Sequence, residues 1–81
     1  MKIFNIGEQK LKITKKIIHI TDKVSKTIPV KNIETISFLN GEQKRINIKT
    51  TDETIKLDCS CIDYETMNNI YESLEKIIQE N

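Results

Sequence analysis

The sequence predicts an α+β domain, a strongly bent antiparallel sheet of six or seven strands followed by one C-terminal amphipathic helix. Three observations lead there. Apolar and polar residues alternate through most of the first 59 positions, and strand geometry sends alternate side chains to opposite faces. Short turn-forming pairs interrupt the alternation at close spacing, as hairpin links do. After Cys59 the apolar period lengthens to steps of three and four, one stripe of a helix.

The elements follow in order. A strand over 2–6 ends at Gly7-Glu8. Leu11 and Ile13 alternate with lysines in a strand over 9–14, and Lys15-Lys16 leaves room for only a tight turn. Strands over 16–21 and 25–30 flank Asp22-Lys23. Pro29 has no N–H for a ladder, so its strand is an edge or bends there. A strand over 33–39 ends at Asn40-Gly41, whose residues both tolerate positive φ. Strands over 44–50 and 53–59 are joined at Thr51-Asp52. The abundance of Ile and Thr suits strands throughout. The helix spans about 63–80, with Asp63 as N-cap, Glu65 in its first turn, and Ile62 and Met67 at the two positions of a hydrophobic staple. Tyr64, Met67, Ile70, Tyr71, Leu74, Ile77 and Ile78 form its apolar stripe.

An 81-residue chain forms one domain at most and is short of core, so self-association is an expected source of further burial. Its apolar runs are too short to span a bilayer, and Lys2, Asn5 and Glu8 interrupt any signal-type core. A cytoplasmic protein is the expectation. Its formal net charge of +1 conceals a division. Residues 1–31 hold eight bases and two acids, a net +6, whereas residues 32–81 hold five bases and ten acids, a net −5. Lysine supplies most of the cations, a flexible point charge without the bidentate fork of arginine.

Chemistry-bearing residues are few. Cys59-x-Cys61 with the distant His19 falls short of the four ligands zinc takes, and the two cysteines read as small apolar residues at a strand end. His19 has no nucleophile or orienting partner beside it in sequence. Phosphate loops and paired-carboxylate motifs are lacking. The expectation is therefore a non-enzymatic protein with no cofactor, no metal and no small-molecule substrate.

From Gln9 on, the order of elements resembles the pleckstrin-homology-like superfold, in particular its short bacterial and GRAM-type members. The resemblance rests on the Leu11-Lys12-Ile13-Thr14 strand, on Ile28-Pro29-Val30 continuing through Ile33 to Ile36, on the two hairpin strands 45–50 and 54–59, and on the C-terminal helix. It implies a partly open barrel capped by that helix, and a binding module for phosphoinositides, peptides or partner proteins. Lys12, Lys15 and Lys16 match the region of the family's lipid site, but the second strand, Ile17-Ile18-His19-Ile20, lacks the family's basic pair. The strand over 2–6 is an addition that pairs through Gly7 or adds to a neighbour's sheet.

Protein binding or self-assembly is thus the leading expectation, including the role of an accessory or inhibitor protein of a phage or mobile element. Ile3, Ile17 and His19 are its candidate interaction surface. Attachment to an anionic membrane surface through the Lys12/Lys15/Lys16 turn is one alternative, and nucleic-acid binding by the basic half is another. Lys10, Lys12, Lys15, Lys16, Lys23 and Lys26 are the candidate anionic-ligand surface for both. Four aromatic residues are few for a nucleic-acid stacking platform.

Overall fold

The computed structural model describes residues 1–80. Seven strands, β1 (Lys2–Ile6), β2 (Gln9–Ile13), β3 (Ile17–Thr21), β4 (Ser25–Pro29), β5 (Ile33–Asn40), β6 (Lys44–Thr50) and β7 (Thr54–Asp58), precede the helix α1 (Tyr64–Glu80). The expected single bent sheet is instead divided in two. One antiparallel sheet has the order β1-β2-β3-β4 and the other β5-β6-β7. The division falls at Pro29, where β4 ends and a 3₁₀ turn, Val30–Asn32, begins. The Val30 N–H donates to the Lys16 carbonyl in the β2–β3 turn of the first sheet, and the Thr51 N–H in the β6–β7 turn of the second donates to the Asn32 carbonyl. The turn therefore ties the sheets together at one corner while breaking the ladder between them.

The inner faces of both sheets and the apolar stripe of α1 share one core. Leu11, Ile13 and Ile18 from the first sheet, Ile46, Ile48 and Leu57 from the second, and Met67, Ile70 and Leu74 from α1 are all fully buried. Tyr64 departs from the expected stripe, being about half exposed. It meets the edge of Phe38 at 5.9 Å between ring centroids, and Tyr71 approaches the same ring at 5.1 Å.

The turns differ in kind. Gly7 is the only glycine at positive φ, at +61°. As Gly7-Glu8 links Ile6 to its partner Gln9 and Glu8 has no positive φ, the turn is type II′, which takes glycine first. The turn signalled by Asn40-Gly41 is a three-residue loop, 41–43, between the paired Asn40 and Lys44, and neither Asn40 nor Gly41 has a positive φ. In the β6–β7 hairpin the Thr50 hydroxyl donates to the Glu53 carbonyl at 2.9 Å and accepts the Glu53 N–H at 3.0 Å.

Asp63 caps α1, its Oδ1 accepting the Thr66 N–H at 2.8 Å. A side-chain hydrogen bond with Thr66, foremost among the causes, and then that backbone bond hold the Asp63 carboxyl below the ordinary carboxylate range. A carboxyl lowered by folding stabilises the fold above its unfolded pKa, and the contribution is lost as pH falls through the lowered value. Asp63→Ala should lower the thermal midpoint at neutral pH, with the gap to wild type narrowing as pH falls through that window. Asp63→Ser should keep most of the cap and remove its pH dependence. Melting curves from neutral to strongly acidic pH check both, and a gap that stays constant with pH would contradict the assignment.

Candidate functional site: the open edge of β1 and the two charged faces

An antiparallel sheet leaves two edges, and proteins usually blunt them. Three of the four edges here are blunted. β4 ends in Pro29 and pairs through Ile18 and Ile20 with β3, so the proline lies on the side facing away. β5 carries a register shift between Ile33 and Thr35 and packs against α1. β7 bears Lys56 and Asp58. Like β7, β1 has neither proline nor bulge, but Lys2 is its single charge.

The register shows what β1 offers. The two-residue turn makes Ile6 and Gln9 a hydrogen-bonded pair, and by alternation Phe4 with Leu11 and Lys2 with Ile13. The N–H and C=O groups of Ile3 and Asn5 therefore point away from β2, toward an unoccupied edge. Beside that edge lies a groove of about 490 Å³ between β1 and α1, lined by Lys2, Ile3, Phe4, Asn69, Glu72, Ser73 and Lys76. A second hollow of about 290 Å³ shares Lys2, Ser73 and Lys76 with it and extends to Ile77 and Glu80.

Ser73 is a residue that sequence reasoning missed. It sits among the apolar positions of α1 and is 7% exposed. Its hydroxyl donates to the Asn69 carbonyl at 2.8 Å and accepts from the Lys2 ammonium at 3.2 Å. The second bond pins the start of β1 to α1 and draws Lys2 to the groove floor. A serine interrupting an apolar stripe was the available signal.

The candidate cations separate by side. Lys10 and Lys12 alternate with the buried Leu11 and Ile13, so both lie on the outer face of the first sheet. His19 lies on that face too, paired across strands with Lys12 and with Thr27, and its Nδ1 is 2.8 Å from the Thr27 hydroxyl. Lys15 and Lys16 are exposed at the β2–β3 turn and Lys23 at the opposite end, in the β3–β4 turn. Lys26 departs from the set. It pairs with the inward-facing Ile20 and its ammonium forms an ion pair with Glu53 of the second sheet, so it faces away from the other lysines. No carboxylate stands on the outer face itself, the acids Glu8 and Asp22 being confined to its turns.

The candidate apolar residues also occupy this face without touching in a row. Ile3 and Ile17 are 48% and 39% exposed. Ile3 is opposite Lys12, which separates it from His19, whereas Ile17 is opposite Pro29 at the end of the sheet. On the outer face of the second sheet, Asn47 lies between Ser37 and Lys56, and its Oδ1 is buried with no hydrogen-bond partner among the described residues.

Cys59 is fully buried and Cys61 exposed, both as free thiols. Burial pushes the Cys59 thiol upward, away from the thiolate form a nucleophile or ligand requires. Among the described residues no group of three or more His, Cys, Asp or Glu side chains comes together as a metal site would need, and no helix is long and apolar enough to cross a membrane. Comparison with protein-family models, with curated proteins and with solved structures finds no match to this chain.

Proposed function

We propose that this chain is a non-enzymatic binding module of pleckstrin-homology-like architecture that captures an extended segment of a protein partner by strand addition to β1. One observation carries the reading. The β1 edge, the least charged of the free edges among the described residues, turns the peptide groups of Ile3 and Asn5 outward beside a groove with an apolar wall at Phe4 and polar groups at Asn69 and Ser73. Main-chain bonds to an open edge supply affinity, and pockets for alternate side chains supply specificity. The order of strands and the closing C-terminal helix support the family reading, with the barrel open where the two sheets part.

Selection of short random peptides on the immobilised chain tests this. Selected peptides should shift the amide resonances of Ile3 and Asn5 and those of Asn69 and Ser73. Asn5→Pro removes one outward N–H without taking a bond from the β1–β2 ladder, and should weaken peptide binding by about tenfold or more. Peptides that perturb the outer lysine face instead, or an equal affinity for Asn5→Pro, would overturn the assignment. So would a chain that selects no peptide but retains anionic vesicles or nucleic acid.

A further inference from the structure

The charge division read from the sequence becomes a division in space. The +6 half is the first sheet with the 3₁₀ turn, because residues 1–31 contain β1 to β4. Within the −5 half, residues 32–58, which include the second sheet, hold four bases and five acids. Residues 59–81 hold one base, Lys76, and five acids. The acidity is therefore concentrated on α1 and its cap. Glu65, Glu72 and Glu75 are exposed and follow one another at steps of seven and three, which keeps them on one stripe of the helix. That stripe faces away from the buried Met67, Ile70 and Leu74, and hence away from the core that the first sheet also faces with its inner side. The basic sheet face and the acidic helix stripe both point away from the shared core, and they adjoin at the groove that Ile3 and Glu72 line together. Only one ion pair among the described residues, Lys26 with Glu53, joins the two halves within the molecule.

We propose that these two surfaces are complementary parts of one self-interface, in which the outer face of the first sheet of one copy receives the acidic stripe of α1 of the next. The partner is a second copy of this chain, and the contact is head-to-tail. Such a contact leaves one free face at each end, so it propagates into a closed ring or an open filament according to the rotation between copies. Three features favour a second copy over a nucleic acid or an anionic membrane for the lysine face. The chain carries a matching acidic surface of its own, which those polyanions would repel. The face holds Lys10, Lys12 and His19 but no arginine and no aromatic residue, and polyanion readers use arginine forks and stacked rings. Ile3 and Ile17 interrupt the charge on this face, as apolar residues do at the centre of protein interfaces.

Two variants and their mixture form the test. Lys10→Glu with Lys12→Glu disables the sheet face, and Glu65→Lys with Glu75→Lys, both away from the β1 groove, disables the helix stripe. All four positions lie outside the core, and circular dichroism checks that each variant keeps the fold. In sedimentation equilibrium at low salt, the wild-type weight-average mass should rise with concentration, and should return toward the monomer at about 1 M salt, where the screening length is about 3 Å. Each variant alone should remain monomeric, because its altered face repels the face it formerly received. The equimolar mixture should then assemble again, because the unaltered sheet face of one variant accepts the unaltered helix of the other, and the two reversed faces are likewise opposite in charge. Wild type that stays monomeric at low salt overturns the proposal, as does a variant that assembles alone. Salt-sensitive retention of DNA or anionic vesicles, lost in the sheet variant and unaccompanied by self-association, assigns the face to a polyanion and equally overturns it. Strand addition at β1 is untouched by these substitutions, so the two proposals fail separately.

Discussion

Leu74→Ala should lower the free energy of unfolding by about 2–5 kcal/mol, the range for truncating a buried leucine. Leu74 is fully buried on the helix that closes the core shared by both sheets. No ladder joins β4 to β5, so α1 and the 3₁₀ turn supply much of what holds the sheets together. The lost side chain leaves a cavity in the core that the helix shares with both sheets, whose elements are held by their own hydrogen bonds and collapse poorly. A domain of this length has about 4–12 kcal/mol of stability in all, so the variant sits near the folding threshold. Urea unfolding followed by circular dichroism measures the loss. A change below about 1 kcal/mol would mean that the sheets hold together without the helix.

Gly7→Ala is the second large effect, for a different reason. The backbone at Gly7 has φ +61°, a region that costs an L-residue about 1–2 kcal/mol. A Cβ there would also stand 3.0 Å from the Cys61 Sγ, closer than ordinary van der Waals contact. The two costs separate by a double substitution. Cys61→Ala in the Gly7→Ala background should recover the crowding and leave the backbone cost. The turn holds β1 to β2, so amide exchange should accelerate first at Lys2, Phe4 and Ile6, whose bonds join those strands. Uniform acceleration across the whole core would show that β1 does not open as a separate unit.

These positions differ in how far the sequence revealed them. Leu74 was legible, since it falls on a stripe with steps of three and four and the Asp63 cap marks where that stripe begins. The strands were legible for the same reason. Period-two alternation across Leu11 and Ile13, or across Ile46 and Ile48, depends only on neighbours along the chain. Expected strands 16–21 and 53–59 become Ile17–Thr21 and Thr54–Asp58, losing end residues that serve the turns. Gly7 was legible as a turn residue, but its closeness to Cys61, 54 positions away, was not. Lys26 followed the same logic. It belongs by sequence to the basic half, yet strand parity directs it toward Glu53, and only the fold brings those two together.

The sequence by itself determined the local order of this protein: seven strands, their turns, the helix with its cap, and the charge division along the chain. Each arises from interactions within a few residues, which composition and spacing display directly. The tertiary structure alone decided that the strands part into sheets of four and three at Pro29. It also decided that the outer edge of β1 is left free beside a groove whose floor is the Lys2–Ser73 contact, and that surfaces of opposite charge both face outward from one core. Those outcomes depend on which distant surfaces pack together, and a linear pattern does not encode which of its apolar faces will meet.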